Sequence, residues 1–304
     1  MMLRHLLLAL VMLLSVTVPA QEVDIDKLWD YDQPALSEAR FREAAQQARD
    51  QPARRGEVQT QLARALGLQE KYDAANLVLD ELQPELPQLP AVVSVRYLLE
   101  RGRLINSRGE PKRAQRWFRN ALLLAQKHEL DFHAIDAAHM LAIAETGKAS
   151  LDWNLKALAM AEQSSSPRAK EWFGSLYNNI GWTYHDLKDY PKALDFLRRA
   201  LAWHEARQTG KQLLIARWSV AKLLRLSGEN ENALRMLFDL ESAWARLKEE
   251  DGYVYEEIAE NLRELGRNKE ARPYFARAYH LLSKDTWLLR QEPGRVARLK
   301  QLSG

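Results

Sequence analysis

Apolar and small residues recur along this chain with the spacing of paired helices. Tyr177, Ile180, Gly181 and Tyr184 fall at i, i+3, i+4 and i+7, which places them on one face of a helix. Ala193, Phe196, Leu197, Ala200 and Leu201 form the matching face of a second helix. Between the two, Asp189 is suited to cap the second helix, and Pro191 fits its first turn, where a missing N–H costs little. Gly181 and Ala193, twelve residues apart, are small enough to let the two backbones approach closely.

The same small pair, twelve apart, recurs as Ala63 with Ala75, Gly102 with Ala114, Ala221 with Ala233, and Ala259 with Ala271. Larger apolar residues surround each pair at matching offsets, such as Leu62 and Leu66, Leu98 and Ile105, or Ile258 and Leu262. Gly109, Gly228 and Gly266 stand where a first helix should end in left-handed geometry. In the copy over 131–163 the first helix can be registered on Ala138 or on Leu141. Ser37 to Ala44 reads as a second helix without its first, and Gly294 to Leu302 as a short amphipathic helix with its charges outward, suited to cap an open stack. The Pro- and Ser-rich stretches Gln83–Pro90 and Ser164–Pro167 fall between pairs.

These residues resemble the tetratricopeptide repeat family. Residues 174–207 match its pattern closely, 95–128, 214–247 and 252–285 match well, and 56–89 matches moderately. The resemblance implies an all-α fold, a right-handed α-solenoid of stacked antiparallel helix pairs. The expected organisation is a signal peptide over 1–20 and an N-terminal segment over 21–34. A solenoid over 35–302 follows, with about six pairs, a preceding half-repeat and a C-terminal capping helix. The anchors Ala75, Ala193, Ala233 and Ala271 imply a repeat of about forty residues, longer than the family period, so helices or connectors are extended. No stretch shows the sustained alternation of a strand.

The N-terminus has a different pattern. Arg4 and His5 precede an apolar run, Leu6 to Leu14, followed by small residues at Val18 and Ala20 and an abrupt polar stretch from Gln21. Such a three-part segment is expected of a secretory signal peptide cleaved after Ala20, giving an exported protein, periplasmic or secreted, with no transmembrane segment once it is removed. The competing expectation is an uncleaved anchor. With 46% hydrophobic and 28% charged residues the chain is globular, and 44 basic against 41 acidic residues leave no basic excess that would argue for nucleic acid. The absence of cysteine removes disulfides, cysteine-ligated zinc, iron–sulfur clusters and thiol nucleophiles together.

Candidate chemistry is sparse. His133, Asp136 and His139 could share a helical arc and form a weak metal site, the basis for an alternative reading as a metal-dependent enzyme. The bland reading is unrelated polar residues on one helix, and neither a phosphate loop nor a nucleophile elbow occurs. The expectation is therefore a non-enzymatic scaffold or adaptor without a cofactor, which binds a protein or peptide partner; a structural subunit of an envelope complex is a further alternative. In the resembled family the concave surface is lined by one side of each first helix. Carried onto this sequence, that side holds Arg64, Arg96, Arg103 and Asn106 early in the chain. It then holds Asn178, Trp182 and His185, next Trp218, Lys222 and Arg225, and last Tyr253, Glu256 and Glu260. Trp182 and Trp218 are expected to frame a pocket for an extended peptide of acidic or C-terminal carboxylate character, rimmed by Asn178, Lys222 and Arg225; the competing expectation is that both rings fill the inside of a tight superhelix. Trp117, Trp153, Trp172 and Trp244 are expected to pack in the core. If the leader is processed as expected, intact mass of the exported protein starts at Gln21; a mature form that retains Met1 and floats with membranes overturns that expectation.

Overall fold

The computed structural model describes residues 24–304; the expected signal peptide, residues 1–20, lies outside them. Among the described residues there is no strand, and helices follow one another with short turns between them. After a single 3-10 turn at Ile25–Leu28 comes α1 (Pro34–Gln47). Six antiparallel pairs follow: α2 (Pro52–Leu68) with α3 (Tyr72–Leu82), α4 (Ala91–Ser107) with α5 (Pro111–Lys127), and α6 (Asp131–Ile143) with α7 (Gly147–Gln163). After the short α8 (Pro167–Lys170) come α9 (Phe173–Asp186) with α10 (Tyr190–Arg207), α11 (Lys211–Leu226) with α12 (Asn230–Arg246), and α13 (Gly252–Glu264) with α14 (Asn268–Leu282). Two helices close the chain, α15 (Thr286–Gln291) and α16 (Pro293–Ser303). Each element packs mainly on its chain neighbours, the arrangement of an α-solenoid.

The small residues set this geometry. A Cβ on Gly181 would lie 2.6 Å from Leu197 Cγ and 3.3 Å from the backbone oxygen of Ala193, so α9 and α10 touch nearly backbone to backbone. A Cβ on Gly102 would lie 2.4 Å from the Phe118 ring between α4 and α5. In every pair the first helix ends five residues beyond its small residue, and the second begins three residues before its own. That rule resolves the open copy: Ile143 and Gly147 fix Ala138 and Ser150 as the pair, with Ala138 fully buried. The turn there departs from the others. Gly109, Gly228 and Gly266 have φ of +83°, +81° and +75° at the second residue past the first helix, with Glu70 and Lys188 in the same role. Between α6 and α7 the positive φ falls instead on Gly147, the first residue of the second helix.

Capping follows the expected chemistry at several starts. Asp189 accepts from the Lys192 N–H at 3.3 Å, and Asp251 accepts from those of Tyr253 and Val254 at 2.8 and 3.4 Å. One joint is irregular. Gln83–Gln88 forms a 3-10 segment interrupted by Pro87, and α4 packs chiefly on α2 instead of on α3. Gly56 permits this, since a Cβ there would sit 2.9 Å from Val93 Cγ1 and 3.0 Å from Leu89 Cδ1. At the far end α16 lies on α14 and buries Val296 and Leu299. Not all of its charges face outward: Arg295 and Arg298 turn back onto α13. Trp244 is buried and Trp172 packs on Phe132, as expected of core aromatics.

Since neighbours supply the buried face of every pair, forcing one pair apart disturbs more than itself. Gly181→Trp is expected to destabilise the protein by about 1–3 kcal/mol or more through overpacking, read as a lower denaturant midpoint. An unchanged midpoint would disprove the close approach of α9 and α10.

Candidate peptide-binding groove

The first helices α2, α4, α6, α9, α11 and α13 carry the residues expected to line the concave face, and these fall into two chemically different halves. In the C-terminal half the structure brings together an aromatic strip. The Trp182 ring on α9 meets that of Trp218 on α11, centroids 5.8 Å apart, and Trp218 meets Tyr253 on α13 at 6.0 Å. His185 stands edge-on to Trp182 at 5.1 Å. Lys222 Nζ lies 5.8 and 5.2 Å from the two indole centroids, a cation–π contact with both. The Trp218 indole N–H donates to the Tyr253 carbonyl at 3.1 Å, which ties α11 to α13. All these side chains are half-buried. The two indoles touch, so they form a continuous surface instead of flanking a gap. Asn178 is also half-buried and donates to Asn179 Oδ1 at 3.2 Å.

Arg225 has another task. Its Nε donates to Glu257 at 2.8 Å and its Nη1 to Glu264 at 2.7 Å, and Lys222 lies 3.6 Å from the same Glu257. Glu257 is almost completely buried. Burial works against the guanidinium charge, but the bonds to Glu257 and Glu264 outweigh it and hold its pKa above the ordinary value. Glu256 and Glu260 are likewise buried and engaged, by Arg295 and Arg298 of α16. The cations of this half are thus neutralised by its own carboxylates, and Arg225 is a structural tie between repeats.

The N-terminal half is built on buried charge. Arg103 on α4 donates to Glu100 at 2.5 Å and to both oxygens of Asp136 on α6 at 2.5 and 2.7 Å. Burial raises the Asp136 pKa, yet the Arg103 and Arg64 charges prevail and hold it below its ordinary value; burial holds that of Glu100 above it. His133 is buried, and loss of water drives its pKa down to about 3, with Arg96 adding to the effect. Burial likewise lowers that of His139 to about 4. Asp136 is held by Arg103, while His139 Nδ1 lies 3.3 Å from Asn179 Nδ2, so the three residues of the suspected metal site are not gathered. Among the described residues no cluster of three His, Cys, Asp or Glu is placed to hold a metal ion. Asn106 is half-buried in the last turn of α4, in this half and on a different repeat from the aromatic strip.

Sequence reasoning missed one participant. The stretch Asp24–Asp32 lies along this half of the concave face. Trp29 stacks on Tyr31 at 4.7 Å and meets Phe41 edge-on at 4.9 Å. Its indole donates to Gln61 at 3.2 Å, and the Arg64 guanidinium sits 5.6 Å from the Trp29 ring and 5.8 Å from that of Tyr31. Asp26 pairs with Arg168 of α8 at 2.6 Å, across 142 positions of chain. Ile25 is buried. The alternation of Asp with Ile, Leu, Trp and Tyr in this stretch, facing Arg-bearing first helices, was the available signal.

Comparison with known proteins agrees with this architecture. Residues 174–206 match the family described as tetratricopeptide repeat. No curated protein matches the chain at a significant level. Among solved structures, the apo form of RapI superposes with a TM-score of 0.65 at 12% identity, over 86% of this chain and 76% of that one. BtubC from P. vanneervenii gives 0.56 at 18% identity, over 73% and 94%. NprR in complex with its cognate peptide NprX gives 0.51 at 16% identity, over 91% and 81%. Residues 174–206 thus match one tetratricopeptide repeat, and the described residues share the all-α solenoid fold of these structures.

Truncating Arg225 leaves buried Glu257 with Lys222 alone. Arg225→Ala is therefore expected to destabilise the protein, toward the low end of the about 3–5 kcal/mol typical of a broken buried pair. Urea titration of the two proteins checks this, and equal midpoints would refute the structural role of Arg225.

Proposed function

We propose that the protein is an exported, non-enzymatic scaffold of the cell envelope that binds an extended protein or peptide segment along its concave face. The observation that supports this most is the half-buried strip of His185, Trp182, Trp218 and Tyr253, which runs across three successive first helices with Lys222 over two of its rings. Trp and Tyr offer large apolar area with little rotamer entropy to lose, and they dominate interface energetics where they cluster. NprR, a protein of similar fold, is seen with a cognate peptide. The export part of the reading rests on the N-terminal pattern of residues 1–20. Among the described residues no helix is long and apolar enough to cross a membrane.

Since Arg225 and its neighbours are neutralised within the fold, the strip is suited to apolar and aromatic side chains of the partner, with Asn178 available to its backbone. A photo-crosslinking residue in place of His185 is expected to capture the partner in the native compartment. With that partner, Trp182→Ala lowers affinity by at least tenfold while circular dichroism and the thermal midpoint stay close to those of the parent. Full affinity in Trp182→Ala, with adducts forming only from the convex helices, would place the working surface elsewhere.

A further inference from the structure

The groove is partly filled by the chain itself, and the way it is filled is informative. Residues 24–32 read Asp-Ile-Asp-Lys-Leu-Trp-Asp-Tyr-Asp, four acids and one base with two aromatics. They lie against Arg54, Arg64, Arg96 and Arg168; the acids there are Glu57, Glu100 and Asp136, the last two bonded by Arg103. Charge and aromatic chemistry are thus complementary to the floor, as for a peptide ligand.

The fit is incomplete. Arg96 is buried, yet among the described residues its Nε has no hydrogen-bond partner, and it stands 3.4 Å from Glu57. Arg54 Nη2, Glu100 Oε2 and His133 Nε2 are also buried without partners among the described residues. A cavity of about 60 Å³ remains between Trp29, Tyr31 and the floor residues Arg96, Glu100 and His133, and a cleft of about 290 Å³ opens beside Asp24 and Asp26. Unsatisfied buried polar groups cost stability until something pairs with them.

The hold of the segment is also modest. Asp26–Arg168 joins two side chains 55% and 41% exposed, and exposed pairs of this kind contribute little. Before Asp30 the segment is held by buried Ile25, by the Trp29 indole and by a long bond from Arg40 Nη1 to the Leu28 carbonyl at 3.4 Å. At Asp30 a two-way link begins, its N–H donating to Ser37 Oγ at 2.7 Å while the same hydroxyl donates back to the Asp30 carbonyl at 2.9 Å. Residues 24–29 therefore form an arm hinged at Asp30, kept in place by tethering to α1, which gives it a high local concentration.

We propose that residues 24–29 are a tethered stand-in for a partner, and that the floor formed by α2, α4, α6 and α8 is a receptor site for an acidic peptide bearing an aromatic residue, which must displace the arm to bind. The proposal rests on the scaffold reading above and adds to it the partner's chemistry and a built-in competitor. Bound as the arm is bound, the partner places its aromatic ring against Arg64 and Gln61 and its carboxylates against Arg168, Arg96 and Arg54. Competition lowers the apparent affinity by the fraction of chains with the arm released.

The test uses a fluorescent synthetic peptide with the sequence of residues 24–33, followed by anisotropy. Against the wild-type protein it binds weakly. Against Asp26→Lys/Trp29→Ser, which frees the arm, it binds at least tenfold more tightly, and Arg64→Glu in that background removes the gain. A control peptide with its four Asp changed to Asn loses at least tenfold in affinity. Equal binding to the wild-type and freed proteins, or none to a freed protein with a wild-type circular dichroism spectrum, would overturn the proposal. Should the freed protein fail to fold, the arm is locked instead. The native chain has no cysteine, so Asp26→Cys/Arg168→Cys joined by a reducible bis-maleimide is specific; locking must suppress peptide binding and reduction restore it, and indifference to the lock overturns the proposal equally. Capture of a partner from position 185 is read separately, so loss of the arm mechanism and loss of the scaffold reading give different results.

Discussion

The close approach of two backbones within each helix pair is the constraint from which the rest of this structure follows. At Gly181 there is no room even for a methyl group beside Leu197, and at Gly102 none beside Phe118. Helices packed this tightly bury Ala-rich faces on one another, and the pairs then stack through what remains apolar. The first helices come together on one side of the stack, and their inner faces are crowded. Polar side chains on those faces lose water, so they must find partners across repeats or remain unsatisfied.

That crowding gives the concave face its two characters. Toward the C-terminus the partners are found: Arg225 joins Glu257 and Glu264, while Arg295 and Arg298 join Glu256 and Glu260. The charges cancel, and what remains presented is aromatic. Toward the N-terminus Arg103 binds Glu100 and Asp136, but among the described residues Arg96 and Arg54 keep unpaired nitrogen atoms, and the arm from Asp24 brings carboxylates to the same region. A carboxylate-bearing ligand is favoured where the fold leaves cations short of partners. Cationic residues counted along a groove do not by themselves reveal this, since Arg225 and Arg96 look alike until their partners are seen.

The fold was legible because its determinants are local. Spacing of small residues by twelve, glycine at the turns and caps such as Asp189 act within one helix pair, and the structure places Gly109, Gly228 and Gly266 in left-handed geometry as that pattern implies. The pair at 138 and 150 was ambiguous for a local reason too: its turn puts the positive φ on Gly147 and its second small residue is Ser150. The proximity of Trp182 and Trp218 was also legible, since both lie one position past residues whose packing the repeat dictates, but the rings meet where a pocket between them was expected. Long-range pairs were not legible. Asp26 meets Arg168 across 142 positions, and Glu257 meets Arg225 across 32, through the curvature of the stack, which no local pattern encodes. For the same reason the N-terminal segment, outside the repeats, was given no place in the groove, although Ile25 is buried and Trp29 is seated on α2.

An open stack must be closed at both ends, and here the two closures differ in kind. At the C-terminus α16 buries Val296 and Leu299 and fastens Arg295 and Arg298 onto buried carboxylates, so apolar burial and charge-assisted bonds act together. At the N-terminus α1 buries Phe41 against the first pair, while the arm before it relies on one indole, one buried isoleucine and one exposed ion pair. Local opening free energies follow the density of such contacts. The C-terminal closure therefore belongs to the cooperative body of the solenoid, whereas the arm opens by breaking fewer contacts, chiefly those of Ile25 and of Trp29 with Phe41 and Gln61. A groove whose cover opens independently of its walls can exchange that cover for a ligand while the stack keeps its shape.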